Sequence, residues 1–156
     1  MNYGFTPNPT TQRPTDDVAN GTFWPVLNVA DFCSGFSIDA DIPNDMVMHA
    51  MVMAAGATNR RLVDFKQQRL AAGIARLMDD NGEHINGQPL AVTRYLDAVY
   101  SEAKARLIKD SITTGRRADA ENGARSDDEL ADHYHARSTE AVAEIQGNSA
   151  TGVYLI

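Results

Sequence analysis

Three stretches of this chain repeat apolar residues at three- and four-residue intervals, the spacing that returns a side chain to one face of an α-helix. They are Met46, Ala50, Met53 and Ala57; Val92, Leu96, Val99, Ala103 and Leu107; and Leu130, Tyr134, Ala141 and Ile145, the last with Arg137 at the intervening position. Such stripes have to be buried against one another. The pattern predicts an all-α fold: a helical bundle of three long helices plus short helices. A length of 156 residues suits one domain of this kind and needs no metal or disulfide staple.

The local signals bound each helix. Asp41 is the expected N-cap of the first, and Pro43 suits a first turn, where its missing N–H would be unbonded anyway. Leu62, Phe65 and Leu70 continue its apolar side after a slight offset, and Gly73 is the expected stop. Residues 43–72 would span roughly 45 Å if unbroken. Gly56 interrupts the run Ala54-Ala55-Gly56-Ala57. It costs about 1 kcal/mol against alanine in a helix interior, and it lets another backbone approach.

Asp79-Asp80-Asn81-Gly82 and Asn86-Gly87 are turn signals, after which Pro89 opens the second helix, with Tyr95 and Tyr100 flanking its stripe. Residues 115–125 are polar and small and read as an exposed loop. Ser126 and Glu129 form a capping box for the last helix, which Gly147 ends.

The flanks differ from this helical middle. Residues 1–22 are rich in Pro, Thr, Asn and Gly and read as a flexible, extended N-terminal arm. Phe23-Trp24-Pro25-Val26-Leu27 is an apolar anchor that opens a helical domain over residues 23–147. Residues 148–156 read as an extended C-terminal tail whose Val153, Tyr154, Leu155 and Ile156 are β-prone and apolar. Four apolar residues in a row need cover. They fold back on their own bundle or dock on a partner as an added strand.

Composition excludes several classes. No apolar run approaches the roughly 20 residues of a membrane span. The first residues lack the basic and apolar regions of a secretory signal, so the expectation is a soluble protein made inside the cell. A single cysteine, Cys33, excludes an internal disulfide framework and reads as structural. Net charge is −7, which argues against coating nucleic acid or an anionic membrane. The charge is blocked: residues 46–78 carry +4, and residues 118–156 carry −6. That alternation is either a mixed solvated surface or a basic face made to meet an acidic face of another copy.

Catalytic and metal signals are weak. His133 and His135 are two apart and point to opposite sides of a helix, so they do not share a metal. Asp79, Asp80 and Glu83 lack the spacing of a calcium loop. No phosphate loop, nucleophile elbow or paired-cysteine zinc pattern occurs. No enzyme, cofactor or metal is expected. Met46 and Met53 are assigned to the core stripe. Met48 and Met51 lie partly off it and are candidates for contact with another chain, with Arg60, Arg61, Arg69, Asp127 and Asp128 as charged candidates for the same contact.

Several ordered motifs resemble one family. Phe23-Trp24-Pro25 precedes an acidic stretch and a long helix carrying Leu62-Val63-Asp64-Phe65-Lys66-Gln67-Gln68-Arg69-Leu70-Ala71-Ala72-Gly73. Ile85-Asn86-Gly87 comes before the helix bearing Tyr95-Leu96-Asp97-Ala98-Val99-Tyr100. Arg116-Arg117-Ala118-Asp119 and Ala141-Val142-Ala143-Glu144-Ile145-Gln146-Gly147 follow. Over residues 23–156 the chain is similar to the head completion proteins (gpL-like) of temperate phages with contractile tails.

The resemblance implies a structural, non-enzymatic head–tail connector of the virion neck, present in the host cytoplasm during assembly. It implies binding to the portal protein after DNA packaging and a homo-oligomeric, dodecameric ring. It further implies a docking surface for a tail terminator or other neck protein, with DNA passing through the lumen without specific binding. It assigns Val153, Tyr154, Leu155 and Ile156 to the portal contact. The competing readings are a helical DNA-binding or regulatory module, with residues 60–76 as its best recognition helix, and a small helical enzyme.

Overall fold

The computed structural model describes residues 16–114 and 121–147. Among these residues the chain is mostly helical. Five α-helices occur: α1 (Val29–Gly35), α2 (Asn44–Arg61), α3 (Val63–Ala71), α4 (Leu90–Thr114) and α5 (Glu121–Ile145). Two short antiparallel ladders join them, which the all-α expectation did not include. β1 (Asp17–Val18) pairs with β2 (Leu27–Asn28), and β3 (His84–Ile85) with β4 (Gln88–Pro89).

α4 is the centre of the fold, with α5 running antiparallel along one side and α2 along another. Its expected stripe holds: Val92, Val99, Ala103 and Leu107 are buried, and Leu96 is partly buried against the core. Tyr95 does more than flank the stripe. It is fully buried and stacks on Trp24, with centroids 4.6 Å apart, while Trp24 meets Phe23 edge-on.

The expected helix over residues 43–72 is two helices. Leu62 is fully buried and leaves helical geometry at φ −106° and ψ 16°, between α2 and α3. Its N–H is shared between the carbonyls of Thr58 and Asn59. The offset in apolar spacing at Leu62 is the sequence trace of this break. α3 ends as expected: Gly73, at φ 86°, donates to Leu70 O and Ile74 donates to Arg69 O, the paired closure of a glycine-stopped helix. The α2 N-cap is Pro43, without a side-chain hydrogen bond, instead of Asp41.

The core face of α2 also differs from the expected stripe. Val47, Ala50, Met51, Ala54, Ala55 and Thr58 are buried, whereas Met46 and Met53 face outward. The helix is apolar almost all round, so several faces satisfy the spacing, and contact with α4 selects the arc around Met51.

α5 starts at Glu121, earlier than the capping box at Ser126, which lies inside the helix. Its buried positions are Ala131, Ser138, Ala141, Val142 and Ile145. Leu130 is exposed and Tyr134 half-buried. Small buried side chains let α5 approach α4 closely.

Residues 16–22, expected within a flexible arm, are seated in the fold. Val18 and Asn20 are buried. Asn20 Nδ2 donates to the Tyr95 hydroxyl at 2.6 Å, that hydroxyl donates to Asn59 Oδ1 at 2.6 Å, and Asn59 Nδ2 donates to Asn20 Oδ1 at 2.9 Å. This closed ring of three hydrogen bonds ties the N-terminal segment to α2 and α4. Asn86-Gly87, at φ 52° and 76°, forms the two-residue turn of the β3–β4 hairpin.

Candidate functional site

A concave feature with a mainly apolar lining lies between residues 18–24 and the junction of α2 and α3. It is a groove of about 750 Å³ whose lining includes Val18, Trp24, Val52, Gly56, Arg60 and Val63. The β1–β2 ladder positions one wall by pairing Val18 with Leu27. The outward arc of α2 supplies the other wall, and the break at Leu62 swings Val63 onto it. Val52 is 50% exposed and Val63 is 47% exposed, so the fold leaves both apolar side chains in water.

The charged groups lining this groove are the cations Arg60 and Lys66. Lys66 Nζ sits 5.9 Å from the Phe23 ring centroid, a cation–π placement that holds the ammonium near the rim. Beneath the groove, burial pushes the Tyr95 phenol well above its ordinary value, despite the hydrogen bond it accepts from Asn20 and the one it donates to Asn59. Tyr95 is therefore a neutral structural hydroxyl.

The expected contact residues fall into three groups. Arg60 is exposed at the groove, and Arg61 beside it is half-buried, its carbonyl accepting a hydrogen bond from Gln146 Nε2 at 2.8 Å. Asp127 and Asp128 are exposed near the other end of α5. At 1.5 Å per residue they stand roughly 27 Å along α5 from Gln146. The structure therefore separates Arg60 and Arg61 from Asp127 and Asp128 along the length of α5.

The second group is engaged within its own chain. Arg69 Nε is 3.3 Å from Asp80 Oδ1, and its guanidinium lies over Phe65 at 4.9 Å. Asp80 is buried. Its Oδ2 accepts from Gly82 N–H, and its Oδ1 faces Arg69 as an ion pair outside hydrogen-bond geometry. Met51 is fully buried and has no surface to offer another chain, and Met48 is half-buried against the core. The third group, Val153, Tyr154, Leu155 and Ile156, lies outside the described residues.

The groove-lining residues Val18, Val52 and Val63 and the hydrogen-bonding Asn20 and Asn59 were missed from sequence. A two-residue strand has no period to detect, and Val52 was hidden among equally apolar neighbours.

The segment considered for nucleic acid recognition, residues 60–76, is interrupted at Leu62. It commits Arg69 to Asp80 and Arg76 to Asp79, the latter through two hydrogen bonds of 2.8 and 2.9 Å. The Asp79 carboxylate holds the Arg76 guanidinium above its ordinary value, and Arg76 holds Asp79 below the usual carboxylate range. Among the described residues, no group of three or more His, Cys, Asp or Glu is placed to hold a metal ion, and no helix is long and apolar enough to cross a membrane.

These features define a small helical protein with an exposed apolar groove and, along α5, separated exposed groups of opposite charge. A family model of phage head completion proteins (GPL) matches residues 18–156, and the chain belongs to that family. It is similar to the probable head completion/stabilization protein of Haemophilus phage HP1 (strain HP1c1), with 27% identity over 150 residues, covering 96% of this chain and 99% of the relative. It is also similar to the head completion/stabilization protein of Escherichia phage P2, with 26% identity over 141 residues, covering 90% and 82%. Both names describe a structural role in the phage head and no catalysed reaction. No significant match occurs among solved structures.

Proposed function

We propose that this protein completes the filled phage head by binding the portal protein after DNA packaging, as a homo-oligomeric ring around the DNA channel in the neck. Its free side then offers a docking surface to a tail terminator or other neck protein. The observation that carries this reading is the family match, which spans residues 18–156 and so covers all but the first two described residues.

The charge layout supports the ring. A closed ring of identical subunits uses two different faces that meet head to tail. Arg60 and Arg61 at the end of α2, and Asp127 and Asp128 toward the other end of α5, are such a pair of faces. Arg69 and Met51 contribute inside the subunit instead. The portal contact is assigned to Val153, Tyr154, Leu155 and Ile156. A net charge of −7 keeps passing DNA from sticking, since neutralising phosphates takes cations.

Sedimentation with the cognate portal tests the reading, comparing the full chain with a chain ending at Gly147. The full chain is expected to co-migrate and the shortened one to stay behind. Co-migration of both moves the contact onto the helical body. A folded full-length chain that never co-migrates sinks the portal reading.

A further inference from the structure

The groove beside α2 is unfinished by the chain's described residues, and three observations bear on what fills it. The first is Gly56. It sits inside α2, yet a Cβ added there meets nothing within 4 Å. The chain's own described contacts therefore do not require glycine at this position, although it weakens the helix by about 1 kcal/mol relative to alanine. What the missing side chain leaves is room on the groove floor for another backbone.

The second observation is the lining. Val52 and Val63 line the groove on either side of Gly56 along α2 and the start of α3, and the charged groups in the lining are Arg60 and Lys66. An uncharged apolar segment fits such a lining. Among the described residues β1 pairs with β2 alone, in a two-stranded ladder, and residues 18–21 line the groove. A free strand edge accepts an added extended segment.

The third observation is where α5 hands the chain over. Gln146 is bonded to the carbonyl of Arg61, one residue from groove-lining Arg60. Residues 148–156 follow, carry no charged side chain and include the run Val153-Tyr154-Leu155-Ile156. Nine extended residues reach about 30 Å. A segment tethered this close has an effective concentration on the order of millimolar for its own groove. Residues 1–15 suit this lining less well in sequence: they carry Arg13, of the same charge as Arg60 and Lys66, and scatter their apolar residues among Pro7, Pro9 and Pro14.

We propose that this groove seats residues 148–156 of the same chain, with Val153, Tyr154, Leu155 and Ile156 laid over Gly56 between Val52 and Val63. The segment thereby has a seat of its own before it meets any partner. This goes beyond the portal reading and does not depend on it.

Chymotrypsin digestion of the full chain tests the proposal, with cleavage after Tyr154 and after Phe5 followed by mass spectrometry. The wild type is compared with Gly56→Leu, which fills the groove floor, and with Val52→Asp, which charges its wall. Both positions face open space, so a retained melting temperature is expected and certifies the fold. Cleavage after Tyr154 is expected to accelerate about tenfold in both variants, as a seated segment becomes free. Cleavage after Phe5 stays unchanged, and the wild-type protection persists on dilution. Equal rates after Tyr154 in all three proteins overturn the proposal. So does acceleration confined to Phe5, which gives the groove to residues 1–15. Protection that vanishes on dilution also overturns it and gives the groove to a neighbouring copy. Portal co-migration that survives any of these outcomes leaves the head completion reading standing.

Discussion

The α4–α5 interface and the outward arc of α2 treat apolar helix surface in opposite ways. Along α4–α5 the buried residues of α5 are mostly small, and polar pairs stitch the margins: Arg94 to Glu144 at 2.8 Å, Arg137 to Asp97, and Lys109 to Asp132 at 3.4 Å. Glu102 is buried between the helices and meets both Arg106, at 3.0 Å, and His135, at 2.8 Å. On α2, Met46, Val52 and Met53 are exposed, and Val52 lines the groove together with Gly56. One side is closed within the chain, and the other leaves apolar side chains exposed among the described residues. An assembly protein needs both: a body that survives alone and a surface whose burial waits for its neighbour.

The sharpest way to break this comparison is to truncate methionines two residues apart on α2. Met51 is 0% exposed and Met53 is 45% exposed. Met51→Ala is expected to lower stability by about 2–5 kcal/mol, the range for a large-to-small core change. Met53→Ala is expected to stay within about 0.5 kcal/mol. Urea melts of the two variants at equal protein concentration decide it. Equal losses would mean that α2 is covered on both sides in solution.

A smaller effect is expected at the hydrogen-bonded ring beneath the groove. Tyr95→Phe removes the hydroxyl that Asn20 donates to and that donates to Asn59, and leaves both amides short of a partner in a buried place. The expected loss is about 1–3 kcal/mol. The same residue gives a pH signature. Burial raises the Tyr95 pKa above its ordinary 10.0, so the unfolded chain releases this proton first. Its contribution is fully present below pH 10 and is lost as the pH rises further. Denaturation midpoints of the wild type between pH 9 and 11 should therefore fall more steeply than those of Tyr95→Phe. Parallel slopes would place the phenol in contact with water.

These two cases also show what was legible in the sequence. The α4 stripe was readable because polar residues at Thr93, Arg94, Asp97 and Lys104 mark its outer side, although the core takes more of the helix than the stripe, with Tyr95, Ala98 and Tyr100 buried too. α2 offered no such contrast. Its methionines, valine and alanines surround the axis, and the choice of core face was left to tertiary contact with α4. Ser126 and Glu129 match a capping box in sequence, but the helix already starts at Glu121 and holds both in its interior. The family was legible because ordered short motifs survive where no single one is specific. The groove was not, because it joins residues 18–24 to residues 52–66 through a two-residue ladder that leaves no periodic mark.

The smallest expected effect concerns the stitched margin. Arg137 donates two hydrogen bonds to Asp97, one of them at 3.1 Å, and its guanidinium lies 5.3 Å from the Phe36 ring centroid. Both partners are partly exposed, so solvent screens the pair and the expected coupling is at most about 1 kcal/mol. A double-mutant cycle of Arg137→Ala and Asp97→Ala isolates that coupling from the loss of the arginine stem over Phe36. The coupling should fall toward zero as salt approaches about 1 M, where the screening length is about 3 Å. A salt-independent coupling well above this size would make charge the closing force on α4–α5. The contrast with α2 would then be one of electrostatics and not of small side chains fitting closely. The expected result keeps closure with Ala131, Ser138 and Ala141, and leaves the ion pairs to fix the register of two helices that packing already holds together.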